Sequence, residues 1–281
     1  MITPNSVIIS YPKSGRTWLK ALIGHYLAAK SPDIAMDEAP EFIFETPEIT
    51  QLAGLSKTSF SHAGAAFYLN QPASEYSFPD EEKYNHHNTI FLSREIKDTL
   101  VSSYFQRTRR YGPNHQRMMN AVGEGQLTFT EFLADDRVGL NKVITFYKHC
   151  YEKFSSVEGE VLFITYEQLH RDTTVYLTKV LNFLGEESVC LSSLNSAISR
   201  SSFDQMRRDE LTFQYGSTLA PGLWEERVDS AGRNVMVVDP ESLKTRKGKV
   251  GGYINYLQSD QIELIDEAVK AAGLEGLNEN R

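Results

Sequence analysis

The sequence predicts an α/β protein in which a parallel β-sheet is flanked by helices on both faces, and three observations lead there. Ser6–Tyr11, Thr89–Ser93 and Val161–Thr165 are short, mainly apolar runs, the pattern of strands covered on both sides. Stretches with helical periodicity follow them, at about Thr17–Ala29, Ile96–Arg109 and Thr174–Phe183. No internal repeat, low-complexity tract or long linker divides the chain, so a single domain over residues 1–281 is expected.

Ser6–Tyr11 opens the sheet and passes through a Pro/Gly turn into the helix at Thr17. Residues 31–57 mix Pro, acidic and apolar positions without a clean period, so loops and short helices are expected. A strand near Thr58–His62 precedes an irregular, aromatic-rich stretch that ends at Tyr84–Asn88. After the strand Thr89–Ser93 and its helix, a second helix over Leu140–Phe154 leads to the strand Val161–Thr165 and the helix Thr174–Phe183. Residues 210–243 show little periodicity, and a connection of that length is expected to be a lid or binding loop. The closing helix spans Asp260–Ala272, with Asp260 and Glu263 in capping-box spacing and Gly273 as its stop.

The 281 residues are 41% hydrophobic and 23% charged, which suits a globular protein with a sizeable core. A formal charge of −8 argues against nucleic-acid partners, which require a basic surface, so any basic site must be local. Cys150 and Cys190 are too few for a disulfide framework and lack zinc-site spacing; a reducing, cytoplasmic setting is expected. Val7–Ile9 lacks the basic start and cleavage site of a secretion signal, and no apolar window approaches membrane-span length, so no membrane span is expected. Nothing in the sequence sets an oligomeric state.

Three local basic segments carry the chemistry. Tyr11–Trp18 lies between a buried strand and a helix start, where Gly15 permits close backbone approach, the first helical amides attract an anion and Lys13 adds a point charge. Lys13 precedes Gly15, whereas the ordinary nucleotide loop puts its lysine after the second glycine, which weakens a kinase reading. Arg94 ends the second strong strand and Ser102 follows eight positions later, so a strand-end guanidinium and a helical hydroxyl converge on one phosphate. Lys97 and Asp98 read as a helix-surface ion pair and stay outside the site. Arg246–Tyr253 is a compact basic, glycine-rich loop in an otherwise acidic chain, with a solvated turn as its plainer reading.

In that order the segments resemble the cytosolic-type sulfotransferases that use 3′-phosphoadenosine-5′-phosphosulfate (PAPS). Tyr11–Trp18 resembles the family's Y-P-K-[SA]-G-T-x-W loop, with Arg16 in place of the usual Thr. Arg94–Tyr104 is similar to R-x-x-K-D-x-x-V-S-x-Y, and Arg246–Tyr253 to R-K-G-x-x-G-D-W, with Gly252 and Tyr253 for Asp and Trp. The resemblance implies a P-loop-like sulfotransferase fold and a sulfuryl transfer from PAPS to a hydroxyl or amine, releasing the bisphosphate PAP. By it, Lys13, Ser14, Gly15, Arg16, Thr17 and Trp18 hold the 5′ end of the donor. Arg94, Ser102, Arg246, Lys247 and Gly248 take the 3′-phosphate. Tyr166 in Phe163–Glu167, and Ser201 and Phe203 in Ser201–Met206, are the implied adenosine contacts. The resemblance also makes Ser102 a restraint on Lys13 until the acceptor arrives.

Sulfuryl transfer needs in-line placement, a cation at the leaving phosphate and a base of near-neutral pKa, which favours a histidine at a strand end. Phe60–His62 resembles the strand-end T-H of the family and makes His62 the expected base, with His86 and His87 as alternatives because His62 stands 32 positions before Arg94. The family has a lysine where this chain has Phe60, and Arg16 or Lys57 is expected to compensate. No carboxylate cluster accompanies the loop, so no metal is expected.

The acceptor is expected to be a small molecule, and Phe67, Tyr68, Tyr76, Phe78 and Tyr147 suggest an aromatic pocket. Glu131, Asp135, Asp136, Asp209 and Glu210 suit a cationic or amine-bearing natural product if they reach the site. A glycan or lipid acceptor, a P-loop kinase and a non-catalytic PAP binder are the competing readings.

Overall fold

The computed structural model describes residues 6–31, 54–65, 71–79, 84, 88–110, 127–154, 159–212, 224–228, 230 and 232–276. Four strands, β1 (Ser6–Ile9), β2 (Thr58–Ser61), β3 (Asn88–Ser93) and β4 (Val161–Thr165), form an all-parallel sheet in the order β2-β1-β3-β4. Ile8 pairs in register with Phe60 on one side and Ile90 on the other, and Phe91 with Phe163.

Both faces of this sheet are covered, which explains the unbroken apolar runs. Side chains alternate along each strand, so Val7, Ile9 and Phe91 point to one face while Ile8, Ile90 and Leu92 point to the other. The first face packs on α2 (Ile96–Phe105), α3 (Phe129–Ala134), α4 (Leu140–Phe154) and α9 (Ser259–Ala271) through Leu100, Phe132, Phe146 and Ile265. The second packs on α1 (Arg16–Lys30), α6 (Thr173–Phe183) and α7 (Leu191–Arg200) through Leu22, Leu181 and Leu194. Leu22 is fully buried, and Leu22→Ala is expected to cost about 2–5 kcal/mol through lost contact and a residual cavity.

Four helices escaped the sequence reading: α3, α7, α5 (Tyr166–Arg171), capped by Thr165 and Gln168, and α8 (Phe203–Leu211), capped by Ser202. The expected helix Ile96–Arg109 is α-helical only to Phe105 and continues as a π turn over Gln106–Arg110, a local widening common beside functional sites. The closing helix starts at Ser259, so its capping box is Gln258 with Gln261 and not Asp260 with Glu263; Gly273, at φ +67°, does end it. Residues 210–243 are not structureless: Glu210 lies inside α8, and β5 (Trp224–Val228) pairs antiparallel with β6 (Asn234–Val238).

Candidate active site

The carboxyl ends of all four parallel strands open on one cavity of about 650 Å³. Because β1 lies between β2 and β3, the connections that follow β1 and β3 leave toward different parts of the sheet, and a crevice forms at this edge. Lys13 and Gly15 come from the loop after β1, His62 from the end of β2, Arg94 from the end of β3 and Tyr166 from the end of β4.

Gly15 has φ +93°, and an added Cβ would lie 2.5 Å from Cδ2 of Tyr166, so only glycine lets that ring close on the loop. Lys13 also has a left-handed backbone, at φ +74°, which costs an L-residue about 1–2 kcal/mol and is held here by the turn. Its Nζ donates to Oε1 of Gln106 at 3.0 Å. Burial first, then repulsion from Arg110 and Lys244, lowers the Lys13 pKa to about 7, against the partly restoring charge of Glu210.

His62 places Nδ1 2.7 Å from the Ser10 carbonyl oxygen. A carbonyl only accepts, so Nδ1 carries the hydrogen and Nε2 keeps the lone pair. Burial and the nearby Arg16, with Lys20 behind, lower the His62 pKa to about 3, outweighing the Ser10 bond, and the ring is neutral at pH 7.

Arg94 ties the two basic loops together. Its Nη1 donates to the Lys13 carbonyl at 3.1 Å and its Nη2 to the Lys249 carbonyl at 3.3 Å, while the guanidinium stacks 4.5 Å from the Tyr166 ring centre. The Tyr147 hydroxyl fixes the Arg94 backbone, accepting from its N–H and donating to its carbonyl. Tyr147 is therefore a buried support and not part of an aromatic acceptor pocket.

Asp98 is not a surface partner of Lys97. It is 3% exposed and accepts from the N–H groups of Gly251 (2.8 Å) and Tyr253 (2.9 Å), clamping the glycine-rich loop onto α2. Lys97 pairs with Asp266 of α9 and with Glu95. In the loop itself, Arg246 donates to Glu241 at 3.1 Å and to the Tyr256 hydroxyl at 2.6 Å, and Lys247 lies over the Tyr256 ring. Gly248 has φ +58° and an added Cβ there would overlap the Phe203 ring.

At the far end Trp18 donates from Nε1 to the Ser201 carbonyl at 2.9 Å and meets Tyr166 edge-on at 5.5 Å. The Ser201 hydroxyl is engaged by His25. Lys13, Gly15, Arg16, Thr17, Trp18, His62, Arg94 and Ser102 all line the cavity, as do Tyr166, Ser201, Phe203, Arg246, Lys247 and Gly248. Ser14 is the exception: it is fully buried and does not line the cavity.

Several expectations fall away. Lys57 precedes β2, its carbonyl accepting from Ser6 at the amino edge of the sheet, so four strand residues separate it from the cavity and it is out of reach of His62. Tyr76 and Phe78 pack in the core, Tyr76 donating to the Ala63 carbonyl at 2.7 Å. The acidic residues are committed elsewhere: Glu131 caps α3, Asp135 binds Arg137, Asp136 holds the Ala73 N–H and Asp209 accepts from Gln205. Glu210 is wholly buried. Phe67, Tyr68, His86 and His87 lie outside the described residues.

Sequence reasoning missed Gln106 and Lys244, which line the cavity, and Glu210 as a support. Gln106 was legible as one helical turn beyond Ser102, and Lys244 as two residues before Arg246 in the same basic run. Nothing in the pair Asp209-Glu210 marks the second carboxylate as buried. Among the described residues no group of three His, Cys, Asp or Glu side chains stands close enough to hold a metal ion, and no helix is long and apolar enough to cross a membrane.

Enzymes of the phosphate-binding α/β class collect their chemistry in this way, at the carboxyl edge of a parallel sheet, and the chain falls in that class. The family is set by sequence: the model of the sulfotransferase domain matches residues 3–278, so the chain belongs to the sulfotransferase domain family and is an enzyme of the PAPS-dependent kind. It is similar to sulfotransferase 1B1 of Mus musculus, 24% identical over 95% of this chain and 82% of that one. It is also similar to flavonol 3-sulfotransferase of Flaveria bidentis, 25% identical over 96% of this chain and 84% of that one. Among solved structures, retinol dehydratase in a complex with retinol and PAP superposes with a TM-score of 0.61 at 14% identity, covering 100% of this chain and 84% of that one. A mouse sulfotransferase complexed with PAP gives 0.53 at 20% identity, covering 96% and 84%.

Proposed function

We propose that the chain moves the sulfuryl group of PAPS in line to a hydroxyl or amine of a small-molecule acceptor, with His62 as general base, and releases PAP. The observation that carries this reading is that Lys13 and a His62 whose tautomer the Ser10 carbonyl fixes line one cavity. Bound, PAPS supplies an activated sulfuryl group on a phosphate leaving group. The cavity suits such a polyanion: its described lining has seven Lys or Arg side chains against one carboxylate, Asp98, and glycines 15 and 248 leave room beneath two aromatic rings.

Lys13 and the amides of Gly15, Arg16 and Thr17 would hold the 5′ end, with the buried Ser14 supporting the turn. Arg94, Ser102, Arg246, Lys247 and Gly248 would hold the 3′-phosphate, and Trp18, Tyr166, Ser201 and Phe203 the adenosine. His62 takes the acceptor proton at Nε2 while the Ser10 carbonyl holds the ring in place. Lys13 stabilises the leaving phosphate; before that, Gln106 rather than Ser102 is the group it binds. We also propose a metal-independent reaction, a cytoplasmic setting and a single domain with a lid or binding loop at about 210–243.

Thermal unfolding with PAP, ADP or ATP, with and without magnesium, tests the donor. PAP at about 100 times its dissociation constant should add roughly 2.7 kcal/mol of stability without magnesium, and Arg94→Ala should abolish the gain. Stabilisation by magnesium-ATP with none from PAP would overturn the reading. Loss of transfer in Lys13→Ala and His62→Ala, with PAP-independent stability retained, would then separate a catalyst from a binder.

A further inference from the structure

Helix α8 presents three side chains on one stripe, Phe203, Arg207 and Glu210, spaced four and three positions apart. All three meet the basic loop. A Cβ added to Gly248 would lie 2.3 Å from Cδ2 of Phe203, so that ring is packed directly on the glycine. Glu210 accepts from the N–H groups of Lys244 (2.7 Å) and Thr245 (2.9 Å). Arg207 grips the next peptides with the opposite polarity: its Nη1 donates to the carbonyls of Thr245 and Arg246, at 3.1 Å each.

That polarity decides what the loop shows to the cavity. In a planar trans peptide the C=O and the following N–H point in opposite directions, so drawing the Arg246 carbonyl to Arg207 turns the Lys247 N–H the other way. Arg246, Lys247 and Gly248 line the cavity and Arg207 does not, so the carbonyl is drawn out of the cavity and the amide is turned to it. The N–H groups of Lys247 and Gly248 meet no protein acceptor among the described residues. Backbone donors matter here because the Arg246 side chain is engaged elsewhere. It donates to Glu241 and to the Tyr256 hydroxyl, and its guanidinium lies against the Phe105 and Tyr256 rings, 4.2 and 4.9 Å from their centres. Successive backbone N–H groups facing one hollow make an anion site, and carbonyl oxygens turned away from it cannot repel the anion.

We propose that Arg207 is a positioning residue for the donor: by holding the Thr245 and Arg246 carbonyls away from the cavity it aims the Lys247 amide, with that of Gly248 beside it, at the 3′-phosphate and so sets the preference for a 3′-phosphorylated nucleotide. The proposal rests on the sulfotransferase reading above and assigns a further residue to its donor site. Arg207 acts through the loop and not by contact with the nucleotide.

PAP and AMP differ only in the 3′-phosphate, and each is titrated calorimetrically into the unaltered protein and into Arg207→Met, Arg207→Gln and Arg207→Lys. PAP is expected to bind the unaltered protein at least about a hundredfold more tightly than AMP, because two or more charge-assisted hydrogen bonds go with the phosphate. Met has no donor and Gln is shorter and uncharged, so either should weaken PAP about tenfold while changing AMP less than about twofold. Lys keeps a donor of similar reach and should retain most of the ratio. In turnover the loss should fall on KM for PAPS, with kcat changed less than about twofold, because the 3′-phosphate does not react. Equal weakening of PAP and AMP, a fall in kcat with KM unchanged, or an unchanged ratio in both Met and Gln variants overturns the proposal. If Arg207→Met fails to fold, Arg207→Gln carries the same expectation; if neither folds, Arg207 is a structural residue and the proposal falls. No preference for PAP over AMP in the unaltered protein sinks the sulfotransferase reading, and this proposal with it, and is thereby told apart from a failure at Arg207.

Discussion

The loop after β1 and the loop over residues 244–252 are both basic, glycine-containing and open to the same cavity, yet they are held by opposite means. The first is positioned locally: a buried strand ends, the chain turns through Lys13 and Gly15 in left-handed conformations, and α1 begins at Arg16. The second is positioned from afar, by Asp98 on α2 at one end and Glu210 on α8 at the other. Charge in the first belongs to chemistry. Buried charge around the second builds the wall.

Removing the distant supports should therefore cost stability, and removing the local cation should cost turnover. The largest effect is expected for Glu210→Ala, which takes a wholly buried carboxylate away from Arg110 and leaves two backbone amides without that acceptor, at about 3–5 kcal/mol in denaturant unfolding. A loss below about 1 kcal/mol would show that residues 244–245 hold themselves and would erase the contrast.

Lys13→Ala is the reciprocal case. The lysine is crowded by Arg110 and Lys244, so its removal should leave the fold standing, while kcat falls about 10²–10³-fold, roughly 3–4 kcal/mol of transition-state stabilisation. Comparable loss of folding stability in this variant would place the cradle and the wall in one class. Gly248→Ala comes next: its Cβ would press on Phe203 from a left-handed backbone, and PAP affinity should fall about tenfold in calorimetric titration, or about 1.4 kcal/mol.

This contrast also explains what was legible. The parallel sheet, its two helical layers and the strand-end positions of Lys13, His62 and Arg94 follow from local runs and turns, so the sequence announces them. Asp98 was read as half of a surface pair because its true partners, the amides of Gly251 and Tyr253, lie more than 150 positions away and amides leave no mark in sequence. Glu210 was read as an acidic surface for the same reason. Gln106 stands one helical turn beyond Ser102 and was passed over because a neutral amide carries no charge that marks it as a partner of Lys13.

The smallest predicted effect is the most specific to a site crowded with like charges. Burial and neighbouring cations lower Lys13 to about 7, Lys20 to about 6 and Lys244 to about 8. In the unfolded chain lysines titrate near 10.4, so between about pH 10 and 7 the unfolded state binds more protons than the folded one. Stability of the ligand-free protein should thus be fullest above the unfolded value and fall as pH drops through that window. PAP places anions among these amines and raises their pKa values again, so its binding at pH 8 should take up about one proton, read from the buffer dependence of the calorimetric heat. Lys13→Met should remove most of that uptake, while Lys249→Met, on the exposed side of the far loop, should leave it unchanged. Uptake independent of Lys13 would mean that the cradle lysine keeps its charge without a ligand, and that the two basic loops are electrostatically alike.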